Sequence, residues 1–266
     1  HGSASPGANA APVVAAYPIS VPWPTNHDVD ALPGVTNCRV QVLKENNLPS
    51  HIRLIVGVDR FDYTKGLLEK VLAMESLLDR YPQWHGSVSL VQVAAPTRVD
   101  VPAYAAYRKV VRAEVERINN RLCCNGVTPV VLLEFHHDRA AVCRLYRAAS
   151  VCAVASLHDG MNLVSKEFVS MRDDEQGVLV LSEFAGAAEE LAPDAILVDP
   201  RDTFALADSL AAALSMSHPE QRYRMERMRL IVRSANIYRW AASMLNDAAL
   251  LREAQAAESM AWRAVA

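Results

Sequence analysis

Asp159, Gly160, Asn162 and Glu167 fall within nine positions of SLHDGMNLVSKEF (residues 156–168), more polar chemistry than a chain reversal needs. An apolar run, VCAVAS, leads into this stretch, and an amphipathic pattern starting near Leu163 leaves it. Free N–H groups at a helix start, with the positive end of the helix dipole, bind anions. Glycine lets a ligand approach the backbone closely. The carboxylates of Asp159 and of Glu167, one turn into the helix, can accept hydrogen bonds from sugar hydroxyls. A plain N-cap and turn would account for the tetrapeptide equally well, and Glu167 alone reads as a surface residue.

A second cluster follows an earlier apolar run. In GVDRFDYTKG, Arg60 and Lys65 stand five residues apart, with Gly66 beside the lysine. A forked guanidinium and a point-charge ammonium suit a diphosphate, although an isolated Arg/Lys pair reads first as solvated loop charge. Arg98, after VQVAAPT, is a third cation. Residues 185–188, AGAA, offer a second small-residue helix start, suited to close ligand approach or to tight packing alike. His136, His137 and Asp138 have the composition of a metal site, but neighbours at a strand end point to opposite sides, so no metal is expected there. With no P-loop, GxGxxG fingerprint or Mg-ligand cluster in the sequence, a nucleotide sugar fits these residues better than ATP or NAD.

Such residues need a frame to converge. Apolar runs at 52–58, 87–94, 129–135, 151–156, 177–182 and 195–199 are continuous rather than alternating, as in strands buried on both faces. Helical patterns lie between them; in the first, Leu67, Val71, Met74, Leu77 and Leu78 recur at helical spacing and should face the sheet. This alternation predicts an α/β fold, a doubly wound parallel sheet with right-handed crossovers. Ligands bind such sheets at the carboxyl ends of the strands, which is where the charged and glycine-containing stretches fall. The tail reads as purely helical. Asp202 can cap one helix, Ser217-x-x-Glu220 has capping-box spacing with Pro219 in the first turn, and a further helix follows from about Ile237.

Composition is that of an ordinary globular chain: 266 residues, 51% apolar, 21% charged, formal net charge −3. That balance carries no electrostatic footprint for nucleic acid. No apolar run approaches a membrane span and the opening does not read as a signal peptide. Five cysteines, with a vicinal pair at Cys123 and Cys124 but no CxxC, suggest neither a zinc ribbon nor a disulfide framework. A reducing cytoplasm is the expected setting.

Four stretches, GVDRFDYTKG, VQVAAPTRVDVPAY, LHDGMNLVSKEF and GVLVLSEFAGAAEEL, resemble in order and spacing the trehalose-6-phosphate synthases, retaining glycosyltransferases of family 20 with the GT-B fold. The likeness covers roughly residues 14–250. It implies UDP-glucose as donor, glucose 6-phosphate as acceptor, trehalose 6-phosphate and UDP as products, and no metal cofactor. By the same resemblance Arg60 and Lys65 would neutralise the donor diphosphate in place of a metal. Asp159 would hold hydroxyls of the transferred glucose, making these three the catalytic set. The backbone of Gly160, Met161, Asn162 and Leu163 would run along the sugar and diphosphate. Glu167 would bind the ribose hydroxyls, His137 and its neighbours would border the uracil, and Arg98 would reach the acceptor's 6-phosphate.

Two departures stand out: LHDGMN replaces the family's LRDGMN, and YPISVPWPTNHD follows its FPIGID only loosely. The resemblance also reaches only the C-terminal, donor-binding half of a GT-B enzyme. The expected organisation is a flexible linker or cloning remnant at 1–13 and, at 14–50, a segment joining from an N-terminal domain, opening on strand-like VVAAYPISV. A Rossmann-like donor domain at 51–235 and a helix at 236–266 that crosses back would follow. The N-terminal domain is then a partner beside the two small-molecule substrates, and a homo-oligomer is compatible. With one wall of its cleft missing, the isolated chain is expected not to make trehalose 6-phosphate at a useful rate. Two other readings stay open: a related pseudo-glycosyltransferase or GDP- or ADP-sugar-dependent transferase, and a non-catalytic module that senses nucleotide sugars or sugar phosphates. Intact Arg60, Lys65, Asp159 and Glu167 speak against the last.

Overall fold

The six apolar runs form six parallel strands: β1 (Arg53–Arg60), β2 (Val88–Ala95), β3 (Val130–Leu133), β4 (Val151–Val154), β5 (Val178–Ser182) and β6 (Ile196–Val198). They make one sheet in the order β3-β2-β1-β4-β5-β6, in a computed structural model that describes residues 14–23 and 32–265. The expected linker at 1–13 and part of YPISVPWPTNHD lie outside those residues. From β1 the chain moves outward through β2 to β3, then returns to place β4 on the other side of β1. The order therefore reverses between β1 and β4, and in open α/β sheets the crevice at such a switch point is where ligands bind.

Both faces of the sheet are covered, which is why its strands are mostly apolar. On one face lie α2 (Leu67–Arg80), α3 (Pro102–Leu122) and α7 (Thr203–Ser215). Leu67, Val71, Met74, Leu77 and Leu78 of α2 are all at most 2% exposed, as their spacing predicts. On the other face lie α1 (Val35–Glu45), α4 (Arg139–Ala148), α5 (Leu163–Met171), the single turn α6 (Ala188–Leu191) and α8 (His218–Ser234). A last helix, α9 (Ile237–Val265), extends from the body.

Several local expectations change. β3 is an edge strand that ends at Leu133, where its pairing with β2 ends, and Phe135 beyond it is exposed. Asp202 caps α7 as expected, accepting from the N–H groups of Phe204 and Ala205. Ser217 is the N-cap of α8, but the capping box does not form: Glu220 turns along the helix to Arg224, 2.6 Å away. Residues 14–21, within the strand-like VVAAYPISV assigned to the end of an N-terminal half, lie outside this sheet and bond to α9. Trp240 Nε1 donates to the Tyr17 carbonyl (3.0 Å), Tyr17 Oη donates to Asp247 (2.8 Å), and the Ile237 N–H donates to the Val21 carbonyl (3.1 Å). Helix α1, absent from the sequence reading, packs against α4 through Cys38, Val42 and Leu43.

One buried ion pair supports the switch point from behind. Lys70 of α2 pairs with Asp59 of β1, their side chains 1% and 6% exposed, and Gln92 of β2 donates to the same carboxylate at 3.2 Å. Gly57 makes room for them, since a Cβ there would lie 2.2 Å from Gln92 Oε1 and 2.9 Å from Lys70 Nζ. Removing one member of such a pair strands the other charge in the interior. Lys70→Met should therefore cost about 3–5 kcal/mol in urea denaturation, and adding Asp59→Asn should recover part of it. A loss below about 1 kcal/mol would place the pair outside the stabilising interactions.

Candidate functional site at the switch point

The turn after β1 and the loop after β4 are built as one unit. Asp62 caps a short 3₁₀ turn, Tyr63–Lys65, accepting from the Thr64 N–H (3.0 Å) and hydroxyl (2.9 Å). Gly66 ends the turn in the left-handed region at φ +62°, and a Cβ there would fall 1.8 Å from the Ala155 carbonyl oxygen. No side chain fits that gap, so the turn presses directly on the end of β4. Next to this contact the Leu157 N–H donates to the Thr64 carbonyl at 2.7 Å.

That approach brings Lys65 to Asp159. Lys65 Nζ lies 2.7 Å from Asp159 Oδ2, the side chains 17% and 15% exposed, across 94 positions of sequence. Two residues with separate sequence-based roles thus partner each other, while keeping donor and acceptor capacity for a ligand. Burial pushes the Asp159 carboxyl up, but the Lys65 ammonium, the Asn162 amide and the Met161 N–H together hold it below the ordinary carboxylate range. Arg60, at the end of β1, is exposed and has no ion-pair partner among the described residues.

Asn162 is buried, with φ +69°. Its amide is fully engaged inside the loop, donating to Asp159 at 3.1 Å and accepting from the Ser165 N–H at 3.1 Å to cap α5. Its contribution is the turn and the cap, so the conventional reading of its side chain holds. The N–H groups of Leu163 and Val164 have no acceptor among the described residues and open onto the helix N-terminus. The AGAA stretch is a different case. The Asp159 N–H donates to the Phe184 carbonyl, the Gly186 N–H to the Asp159 carbonyl and the Ala187 N–H to the Met161 carbonyl (3.1, 3.0 and 2.7 Å). Those groups close one loop onto the other, and α6 behind them is one turn long, so of the two readings of AGAA the contacts are those of tight packing.

Beside the loop is a cavity of about 610 Å³, lined at its polar positions by His137, Arg139 and Glu167 and at its apolar ones by Val58, Val142 and Leu163. His137 stacks on Phe135 with ring centroids 4.2 Å apart. Burial raises the Glu167 carboxyl above its ordinary value, partly offset by the Tyr146 hydroxyl, which donates to it at 3.0 Å, and by the Arg139 charge. Ser20, Val21, Pro22 and Ile237 close the cavity. The sequence marked these residues only as part of the loose FPIGID match and as a helix start, because their role here arises from the leading segment and α9 meeting over the sheet. Asp138, in the His-His-Asp run, caps α4 through the Ala141 N–H at 2.7 Å. Among the described residues, no group of three or more His, Cys, Asp or Glu is arranged to hold a metal ion, and no helix is long and apolar enough to cross a membrane.

Arg98 is exposed at the end of the β2 segment and does not join the Lys65–Asp159 pair directly. Its guanidinium donates to Tyr104 Oη at 2.7 Å, and Tyr104 Oη in turn donates to Asp62 at 3.3 Å. Asp62 and Tyr104 lie within the GVDRFDYTKG and VQVAAPTRVDVPAY stretches but carry no site signal of their own beyond the Asp-x-Thr turn pattern of the first.

A six-stranded sheet of this order, with cations, a carboxylate and a helix N-terminus at its reversal, defines a Rossmann-like α/β domain. A sequence model of glycosyltransferase family 20 matches residues 8–250, and the chain belongs to that family. It is 40% identical over 224 residues to the trehalose-6-phosphate synthase of Sodalis glossinidius (strain morsitans), covering 80% of this chain and 48% of that protein. Its fold is similar to that of the E. coli protein bound with UDP-2-fluoro glucose (TM-score 0.80, 38% identity, 87% of this chain and 50% of that one). It is similar also to a UDP-forming α,α-trehalose-phosphate synthase from Burkholderia xenovorans in complex with glucose-6-phosphate (TM-score 0.78, 37% identity, 88% and 50%). The chain spans about half the length of the relatives it matches, and its sheet is the C-terminal half of the GT-B architecture.

The glycines separate packing from ligand access. A Cβ on Gly160 would meet nothing within 4 Å, whereas one on Gly186 would sit 2.2 Å from the Gly160 carbonyl oxygen. Gly160→Ala should leave the melting temperature unchanged or raise stability by up to about 1 kcal/mol. Gly186→Ala should lower stability by about 1–3 kcal/mol; equal effects would contradict this division. The ion pair makes a second prediction. Because its carboxyl is held low, Asp159 stabilises the fold above its unfolded value and loses that contribution as pH falls. In Lys65→Met, burial would act against weaker partners, so the Asp159 midpoint followed by ¹³C NMR should move up. An unmoved midpoint would mean that Lys65 is not the dominant partner.

Proposed function

We propose that this chain is the donor-binding half of a retaining glucosyltransferase. The reaction moves glucose from UDP-glucose to glucose 6-phosphate, yielding trehalose 6-phosphate and UDP. The observation that carries the reading is the Lys65–Asp159 pair at the switch point, beside exposed Arg60 and joined by one short loop to the cavity holding Glu167 and His137. The ligands named for the E. coli and B. xenovorans relatives support the choice of donor and acceptor.

In this reading the uridine occupies the cavity, its ribose hydroxyls donate to Glu167, and the His137 region borders the base. The diphosphate crosses the Gly160–Leu163 backbone, where glycine leaves the approach open, and reaches Arg60, Lys65 and the free N–H groups of α5. Asp159 accepts from hydroxyls of the glucose. As the bond from glucose to the diphosphate breaks, negative charge grows on the leaving oxygens. Fixed cations and oriented N–H groups already aimed at that position stabilise the charge without having to reorganise. The leaving diphosphate helps deprotonate the acceptor hydroxyl on the same face, which retains the configuration. Acceptor positioning comes largely from an N-terminal half acting as partner, with Arg98 directed at the 6-phosphate. Holding both substrates in register is worth roughly 7–11 kcal/mol of barrier, so the 266-residue chain by itself should bind donor but turn over poorly.

Calorimetry with UDP, GDP and ADP tests this. UDP should bind best, more weakly as salt rises, and Arg60→Ala should weaken binding by about 1.5–3 kcal/mol. No heat with any nucleotide from a folded sample would sink the proposal. Product from UDP-glucose and glucose 6-phosphate should appear when a family N-terminal half is added and vanish in Asp159→Ala.

A further inference from the structure

The geometry points to Tyr104 and Asp62 as positioning residues that hold the Arg98 guanidinium, and through it an anion at the acceptor side, in register with the Lys65 turn. The inference rests on the proposed function for the identity of that anion, a sugar phosphate, but its structural basis is independent. Arg98 has φ +46°, a conformation that costs a non-glycine residue energy and persists only where its surroundings enforce it. Two contacts do so. The guanidinium lies over the Tyr104 ring, 5.3 Å from its centroid, and donates to that residue's hydroxyl at 2.7 Å.

Tyr104 is itself fixed. It is 5% exposed, in the first turn of α3, with its ring 5.6 Å from that of Tyr63. Having accepted from Arg98, its hydroxyl donates to Asp62 Oδ2 at 3.3 Å, so donor and acceptor roles run in one direction. Asp62 is also 5% exposed, and its other oxygen takes both Thr64 bonds. Burial pushes its carboxyl up, yet the Thr64 and Tyr104 bonds and the Arg60 charge leave it below the ordinary value, so it remains an acceptor. From Thr64 the path continues through its carbonyl to the Leu157 N–H and the Asp159 loop. Three loops from three strands are thereby linked by hydrogen bonds through Asp62, and an exposed arginine at their rim is pre-oriented. A guanidinium free to rotate would have to be ordered when its anion arrives, which lowers affinity.

The test is Tyr104→Phe, which keeps the ring against Tyr63 and under Arg98 and removes only the hydroxyl. In the 266-residue chain, ¹⁵N relaxation of the Arg98 Nε–Hε group should report an ordered side chain in the wild type and a mobile one in the variant, with melting temperature and UDP affinity unchanged. The UDP-loaded chain is then titrated with glucose 6-phosphate and with glucose, following the same resonance. The phosphate-bearing sugar alone should shift it, with a Kd about tenfold higher in Tyr104→Phe, equivalent to one hydrogen bond to a charged group. Asp62→Asn should loosen Arg98 and weaken UDP binding as well, because it also disturbs the Lys65 turn. Unchanged Arg98 order in Tyr104→Phe, or a Kd within twofold of wild type, would overturn the inference. Absence of any wild-type response to glucose 6-phosphate would count against the proposed acceptor, while the relaxation result would still decide the positioning role.

Discussion

The approach of Gly66 to the Ala155 carbonyl governs the rest of the site. A left-handed glycine whose missing Cβ would lie 1.8 Å from a backbone oxygen sets how closely the turn after β1 can approach the end of β4. At that separation Lys65 reaches Asp159, Thr64 bonds Leu157, and the cap that Asp62 places on the turn becomes part of the β4 loop's support. The β5 loop joins through Gly186, which must also lack a side chain to lie against Gly160. The switch point is thus a set of three loops in direct backbone contact, and the charged side chains inherit their positions from it.

Burial and charge act in opposite senses on the two carboxylates. Asp159 is held low by an ammonium and two N–H donors despite its burial, so it stays ionised beside the cations. Glu167, in the cavity wall, is raised by burial that Tyr146 and Arg139 only partly offset. The polar end of the site therefore carries fixed charge suited to a diphosphate. The cavity offers a desolvated acceptor among apolar walls, the usual setting in which a few polar groups orient a ligand. Behind both, the Asp59–Lys70 pair and Gln92 sit where β1, α2 and β2 meet, holding the strand from which Arg60 and the turn emerge.

The leading segment and α9 matter for a related reason. Val21 and Ile237 are hydrogen-bonded to each other and both help close the cavity. The wall over that cavity is made by two stretches more than two hundred positions apart, and neither belongs to the sheet.

By itself the sequence determined the fold class. Continuous apolar runs can be buried only on both faces, and their alternation with amphipathic helices permits few topologies, so six strands and the helix faces were legible, Leu67 to Leu78 most clearly. It also placed Arg60, Lys65, Asp159 and Glu167 after apolar runs, where the strand ends of such a sheet gather, and the motif resemblance added family 20. Tertiary structure alone decided which of these groups meet. Lys65 and Asp159 pair because a glycine lets two loops touch, AGAA serves packing because its N–H groups are already bonded, and Glu220 leaves its cap for Arg224. The buried Asp59–Lys70 pair, the Arg98–Tyr104–Asp62 path and the cavity wall from Val21 and Ile237 left little trace in the sequence. Each depends on contacts between residues distant in the chain, where local periodicity and motif spacing carry no information.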